Sequence, residues 1–240
     1  MKIKFEKIDP VPDYPAGTSA LALAGTTWNS GKVVVKTFKA EIKKSLRLAQ
    51  KAQCCFCRRT LFDDYASQLE HFIDKDAYAG YTYEIRNLAL SCGTCNGRKN
   101  GHFKTWRYRF DRMFVPVGGS PVLRLPVLKP SLAPGAPYPT NPDDFRWVNP
   151  YVHTYSDHIQ VAKNWIFKGI SPKGVRTVRG AGLNEIEAIE ARALSERLES
   201  RGGWLSLLVG AMAELDAHRA REVSDAVVRV IKRRRRAGKL

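Results

Sequence analysis

Two cysteine pairs constrain this chain more than any other feature. Cys54 and Cys57 stand three apart, as do Cys92 and Cys95, and 34 residues separate the pairs. Each C-x2-C knuckle presents two sulfurs toward one point, so two knuckles can close a tetrahedral thiolate site of the kind zinc prefers. The alternative is a set of ordinary buried cysteines, but four of the five falling into two matched pairs argues against it. With all four positions filled by protein, the zinc is structural and has no place for water. Cys55 is the odd one, expected to face away from the ligands as a small buried side chain. Metal binding would fix both ends of the intervening segment, making it a closed loop where chemistry is to be sought.

The chain has 240 residues, 44% of them hydrophobic, enough to bury a real core. Lys and Arg number 40 against 23 Asp and Glu, a formal charge of +17. That excess calls for an anionic partner, nucleic acid first and an acidic protein or membrane surface second. The most apolar run, residues 204–213, is too short to span a membrane. MKIKFEKIDP has no apolar core of a signal peptide. A cytoplasmic location follows as the expectation, where reduced cysteines bind metal more often than they pair.

Four segments are expected. Residues 1–38 read as an N-terminal extension with strand-like pieces, KVVVKTF at 32–38 among them. Residues 39–113 hold the knuckles, led by a helix over 39–52 in which Ile42, Leu46 and Leu48 or Ala49 share a face. Residues 114–148 lie around a tract with eight of the thirteen prolines, read as a long ordered loop or linker. Residues 149–240 are mixed and then helical. Short strands are expected near 163–168 and 174–178. A helix is expected from Asn184, with Glu187 completing a capping box, and a last helix over about 204–235 ends in the basic run IKRRRRAGKL.

Inside the closed loop lie Glu70-His71 and Asn87-Leu88, and Asn96 and Lys99 follow the second pair. Singly these residues mean little: a lone His is usually filler and a lone Asn may be a helix cap. Together, in this order and spacing, residues 53–100 resemble the HNH endonucleases, the zinc-stapled branch of the ββα-metal nucleases. The resemblance implies an α+β fold: a ββα-metal (His-Me finger) core closed by a four-cysteine zinc site, with a mainly helical C-terminal extension. It implies that His71 is the general base, that Asn87 fastens the loop and orients the histidine, and that Glu70 and Asn96 hold a catalytic ion. Glu stands at 70 where Asp is commoner. Asn96 stands where other members have histidine, which argues for a hard, oxygen-liganded ion such as Mg²⁺ or Mn²⁺. The chemistry is sound by itself: phosphodiester hydrolysis needs a base near neutrality and a cation on the phosphate.

Arg98, Lys99, Lys104, Arg107 and Arg109 follow the site and are the candidate phosphate contacts. Trp106, Tyr108 and Phe110 alternate with them, as in a strand with aromatics on one face; a packed strand edge accounts for the aromatics equally well. His102 reads as packed or solvated. No sequence-reading element is evident, so DNA cleavage of low specificity is expected. LEHFIDKDAY, NPY at 149–151, Asp157-His158 and TVRGAGLNEIEAIEARA resemble the HNH proteins of bacterial antiphage islands, retron-associated and Septu-type. That resemblance implies a defence role beside an ABC- or SMC-like ATPase. The competing class is a non-catalytic zinc module that binds nucleic acid or scaffolds a complex, and an RNase stays open because this core does not read the 2′-hydroxyl. The Glu-His pair with Asn96 discriminates, since a pure binder has no need of them.

Overall fold

The computed structural model describes residues 3–62, 67–76, 78–113, 126–130, 132–133, 135–162, 166–186, 188–189 and 217–236. The chain divides into two units, Met1–Arg192 and Ala193–Leu240. In the first, a short helix α1 (Ala20–Leu23) precedes α2 (Val33–Ala49). Strands β1 (Ser67–His71) and β2 (Leu88–Cys92) pair antiparallel, with Glu70 opposite Ala89 and His71 opposite Leu88. Helix α3 (Gly93–Met113) follows β2 without a gap. A second antiparallel pair, β3 (Ile159–Val161) and β4 (Phe167–Gly169), leads into α4 (Pro172–Gly180). In the second unit, residues Ala217–Arg236 form helix α5.

Helix α2 overturns the strand expected at 32–38. Val33, Val34 and Val35 favour extended backbone only weakly. Burial decides instead: Val35, Phe38, Ile42 and Leu46 recur at helical spacing and are all fully buried. The helix stops after Ala49 because Lys51 and Ala52 turn into left-handed conformation, φ 48° and 52°. Gln50 then acts as a splint. Its side chain accepts from Leu90 N at 2.7 Å and donates to Leu90 O at 2.9 Å, and Cys55 N donates to the same carbonyl at 2.8 Å. The first knuckle is thereby fixed against β2.

Residues 1–38 supply Phe5, Ile8, Leu23, Val35 and Phe38 to the common core. The expected strand over 174–178 is helix α4. Ser171 caps it by accepting from Gly174 N at 3.1 Å, and Pro172 opens it, a start signal that outweighs the alternation of VRTV. Only glycine fits at 174, since a Cβ there would lie 1.8 Å from the carbonyl oxygen of His158. Of the other expected strand, 163–165 lie outside the described residues, and β4 begins at Phe167. The side chain of Asn184 accepts from Phe167 N and donates to Phe167 O, each at 2.8 Å, which stitches it to β4. Glu187 and residues 204–216 lie outside the described residues, as do 114–125 of the Pro-rich tract.

The alternation of 104–113 is likewise helical, as the second half of α3. Cys95, Lys99 and Phe103 anchor the first half by burial. Once a helix is nucleated, each added residue costs little, and Arg, Lys and Met propagate it well.

Candidate metal centre and catalytic cleft

The two knuckles meet. The sulfurs of Cys54, Cys57, Cys92 and Cys95 all lie within 4.8 Å of one another, and all four residues are buried. Cys57 Sγ and Cys92 Sγ are 3.9 Å apart. A tetrahedron with zinc–sulfur distances of about 2.3 Å has edges of about 3.8 Å, so the spacing suits zinc. Cys92 N donates to Cys54 Sγ at 3.3 Å and Cys95 N to Cys92 Sγ at 3.4 Å, bonds that favour thiolates. None of the five cysteines is in a disulfide. Cys55 is outside the cluster, and burial pushes its thiol well up, keeping it neutral.

Strand β1 ends at His71, beside a cleft of about 270 Å³ lined by Trp28, Glu70, His71, Asp74, Asn96 and Asn100 among others. Three of the four residues expected at the reaction centre therefore share one cavity. His71 is 8% exposed, and its Nε2 lies 3.0 Å from Thr82 O. A carbonyl can only accept, so Nε2 carries the proton and Nδ1 is left with its lone pair. Burial pulls the imidazole pKa down to about 4, so the ring is neutral at pH 7.

Asn87, the fourth, is fully buried behind the cleft and holds the loop by three bonds. It accepts from Ile73 N at 2.7 Å and donates to Ile73 O at 2.9 Å and Tyr81 O at 3.0 Å. Tyr81 precedes Thr82, so the asparagine holds the backbone next to the carbonyl that His71 meets. Glu70 is 2% exposed, and burial raises its pKa against the pull of Lys99. Asn96 sits in the first turn of α3, not before it, and its Nδ2 donates to Gln68 Oε1 at 2.7 Å. Glu70 and Asn96 thus bring hard oxygen atoms from β1 and α3 to one cleft, where Asn96 Oδ1 also accepts from Asn100 Nδ2 at 3.3 Å.

The candidate phosphate contacts fare differently. Lys99 is 1% exposed and donates to Glu70 Oε1 and His71 O, so it cannot meet a surface phosphate. It lies one turn beyond Asn96, on the face of α3 turned to β1, and there it compensates a buried carboxylate. Arg98 is ion-paired with Glu185. The side chains of Lys104, Arg107 and Arg109 lie outside the described residues. His102 packs against Trp147, ring centroids 5.6 Å apart.

Sequence reasoning missed the contributions from outside the loop. Trp28, in the N-terminal segment, reaches the cleft wall. Tyr151 Oη lies between two carbonyls on either side of Asn87, Ile85 O at 2.8 Å and Leu88 O at 2.6 Å, which share its one proton. The NPY motif was the sole signal for Tyr151, and Trp28 had none.

Residues 54–101 match the family model described as HNH endonuclease. They form an HNH domain in which β1, β2 and α3 make the ββα unit over the four-cysteine site. The chain is 27% identical over 152 residues to the "Septu protein PtuB" of Bacillus thuringiensis, a match covering 63% of this chain. It spans 44% of that relative's length. No solved structure matches. Among the described residues no helix is long and apolar enough to cross a membrane.

Proposed function

We propose that this protein is a divalent-metal-dependent endonuclease that hydrolyses DNA phosphodiester bonds with low sequence specificity. One observation carries the reading: a neutral His71, held through Nε2 on Thr82 O, faces a cleft shared with Glu70 and Asn96. Nδ1 takes the proton of an attacking water. Lys99 keeps the buried Glu70 carboxylate paired, and Asn87 holds the loop that aims the base. A bound Mg²⁺ or Mn²⁺, held by Glu70 and Asn96, would stabilise charge on the phosphate and leaving oxygen. A non-catalytic zinc module has no use for a buried, oriented imidazole beside hard donors. The likeness to a Septu protein, with the antiphage-island motifs, supports a role in bacterial antiphage defence beside an ABC- or SMC-like ATPase.

The test is incubation of purified, zinc-loaded protein with plasmid and with RNA, with and without Mg²⁺ or Mn²⁺. Cleavage of DNA is expected only with added metal. His71→Ala should lose about 10²- to 10⁴-fold in rate with zinc retained. Glu70→Ala and Asn96→Ala should each weaken the response to added metal. Near-wild-type nicking by His71→Ala refutes the assignment, and cleavage of RNA alone transfers the reading to an RNase.

A further inference from the structure

One wall of the cleft is built by the N-terminal segment, which precedes the HNH domain in sequence. Trp28 lines the cleft, and its ring packs edge-on against His71, centroids 4.4 Å apart with planes at 81°. Its location is fixed from several sides. Tyr83 Oη donates to Thr27 O at 2.7 Å, and Thr26 Oγ1 donates to Tyr83 Oη at 2.9 Å. Tyr14 Oη donates to Tyr83 O at 3.0 Å. Lys39 Nζ, from α2, stands 4.5 Å from the centre of the indole ring. The whole segment is thus hooked onto Tyr83, the neighbour of the Thr82 whose carbonyl receives His71.

His71 needs this second constraint. The torsion about Cβ–Cγ of a histidine is broad and roughly two-fold, so staggering does not fix the ring plane. The bond to Thr82 O locates Nε2, but the direction of Nδ1 still depends on ring tilt. A perpendicular aromatic in van der Waals contact removes that freedom. We propose that Trp28 is a positioning residue: its indole fixes the plane of His71, so that Nδ1 points into the cleft, and it makes the N-terminal segment part of the active site. This inference rests on the nuclease reading for its catalytic consequence, whereas the ring contact is measurable without it.

The test uses the full zinc-loaded chain with Trp28→Ala, Trp28→Leu and Trp28→Phe. Loss of ring alignment should lower kcat by roughly ten- to a hundred-fold while KM stays within about two-fold. Phe restores an aromatic edge and should recover most of kcat, whereas Leu, of similar bulk, should not. In parallel, the imidazole proton resonances of His71 should move in Trp28→Leu, as the ring current is lost, and partly return in Trp28→Phe. If Trp28→Ala loses zinc or unfolds, the Leu and Phe pair carries the comparison. Unmoved His71 resonances overturn the contact. Equal kcat in Leu and Phe variants overturns the positioning role. A wild-type chain that cleaves nothing with either metal, yet shows the resonance shift, overturns the nuclease reading and leaves the ring contact standing.

Discussion

Asn87→Ala is a demanding perturbation of the cleft because every partner of Asn87 is backbone. The residue is fully buried, and its amide satisfies one N–H and two carbonyls at 2.7, 2.9 and 3.0 Å. Truncation leaves the Ile73 N–H unpaired in the interior, at about 1–3 kcal/mol, and weakens both carbonyls. A small cavity adds to this, so about 3–5 kcal/mol is expected in total. A domain of ordinary stability holds about 5–15 kcal/mol, so the variant folds but with a much smaller margin. Asn87→Asp should be no better, since it keeps the acceptor for Ile73 N but turns a carboxylate oxygen toward two carbonyls. Urea unfolding of the zinc-loaded protein gives the stability change, and hydrogen exchange at Ile73 reports the local bond. Cleavage should fall further than the unfolded fraction explains, because Thr82 O moves with Tyr81. A loss under about 1 kcal/mol with the Ile73 amide still protected would refute the pinning argument.

Cys54→Ser and Cys92→Ser should each lose zinc and unfold the region 53–100, whereas Cys55→Ser should be mild; metal analysis with thermal melting checks both, and the reverse pattern would show the ligand register to be wrong. Acidification should destabilise the fold between pH 7 and 5. Burial, with Lys173 and His158 adding repulsion at His153, holds both His71 and His153 at about 4 when folded, below the ordinary 6.5. The unfolded chain therefore takes up protons first, and stability, full above about pH 6.5, is lost as pH falls toward 4, by up to about 3 kcal/mol at His71 and by less at His153, where solvent screening weakens the effect; urea midpoints that do not drop from pH 7 to 5 would contradict this. Removing residues 232–240 should flatten the salt dependence of DNA binding while cleavage at saturating DNA persists, since Lys232, Arg233 and Arg236 are exposed at the end of α5. Each lost phosphate contact removes about 0.9 from the log–log slope, and an unchanged slope would free the tail from DNA.

The sequence by itself determined the four-cysteine cluster, because a C-x2-C knuckle is local geometry and two of them need only be brought together. The resemblance of residues 53–100 to HNH endonucleases pointed to Glu70, His71 and Asn96 as one group, and the three line one cleft. The odd status of Cys55 followed from the knuckle spacing. Only the tertiary structure decided the elements around them. Residues 33–38 are helical although valines favour strands, because a stripe from Val35 to Leu46 has a core to fill and intrinsic preference is weak beside burial. The period-two alternation of 104–113 and of 174–178 misled for the same reason: pattern yields to a nucleated helix or a Ser-Pro start. Lys99 looks like a phosphate ligand along the chain, and α3 turns it onto Glu70 because a buried carboxylate needs a counter-charge. Trp28 and Tyr151 reach the His71 loop through contacts between distant segments, 43 and 80 residues from His71 along the chain. Such contacts leave no mark on the residues nearby in sequence, because they depend on how the surrounding elements pack.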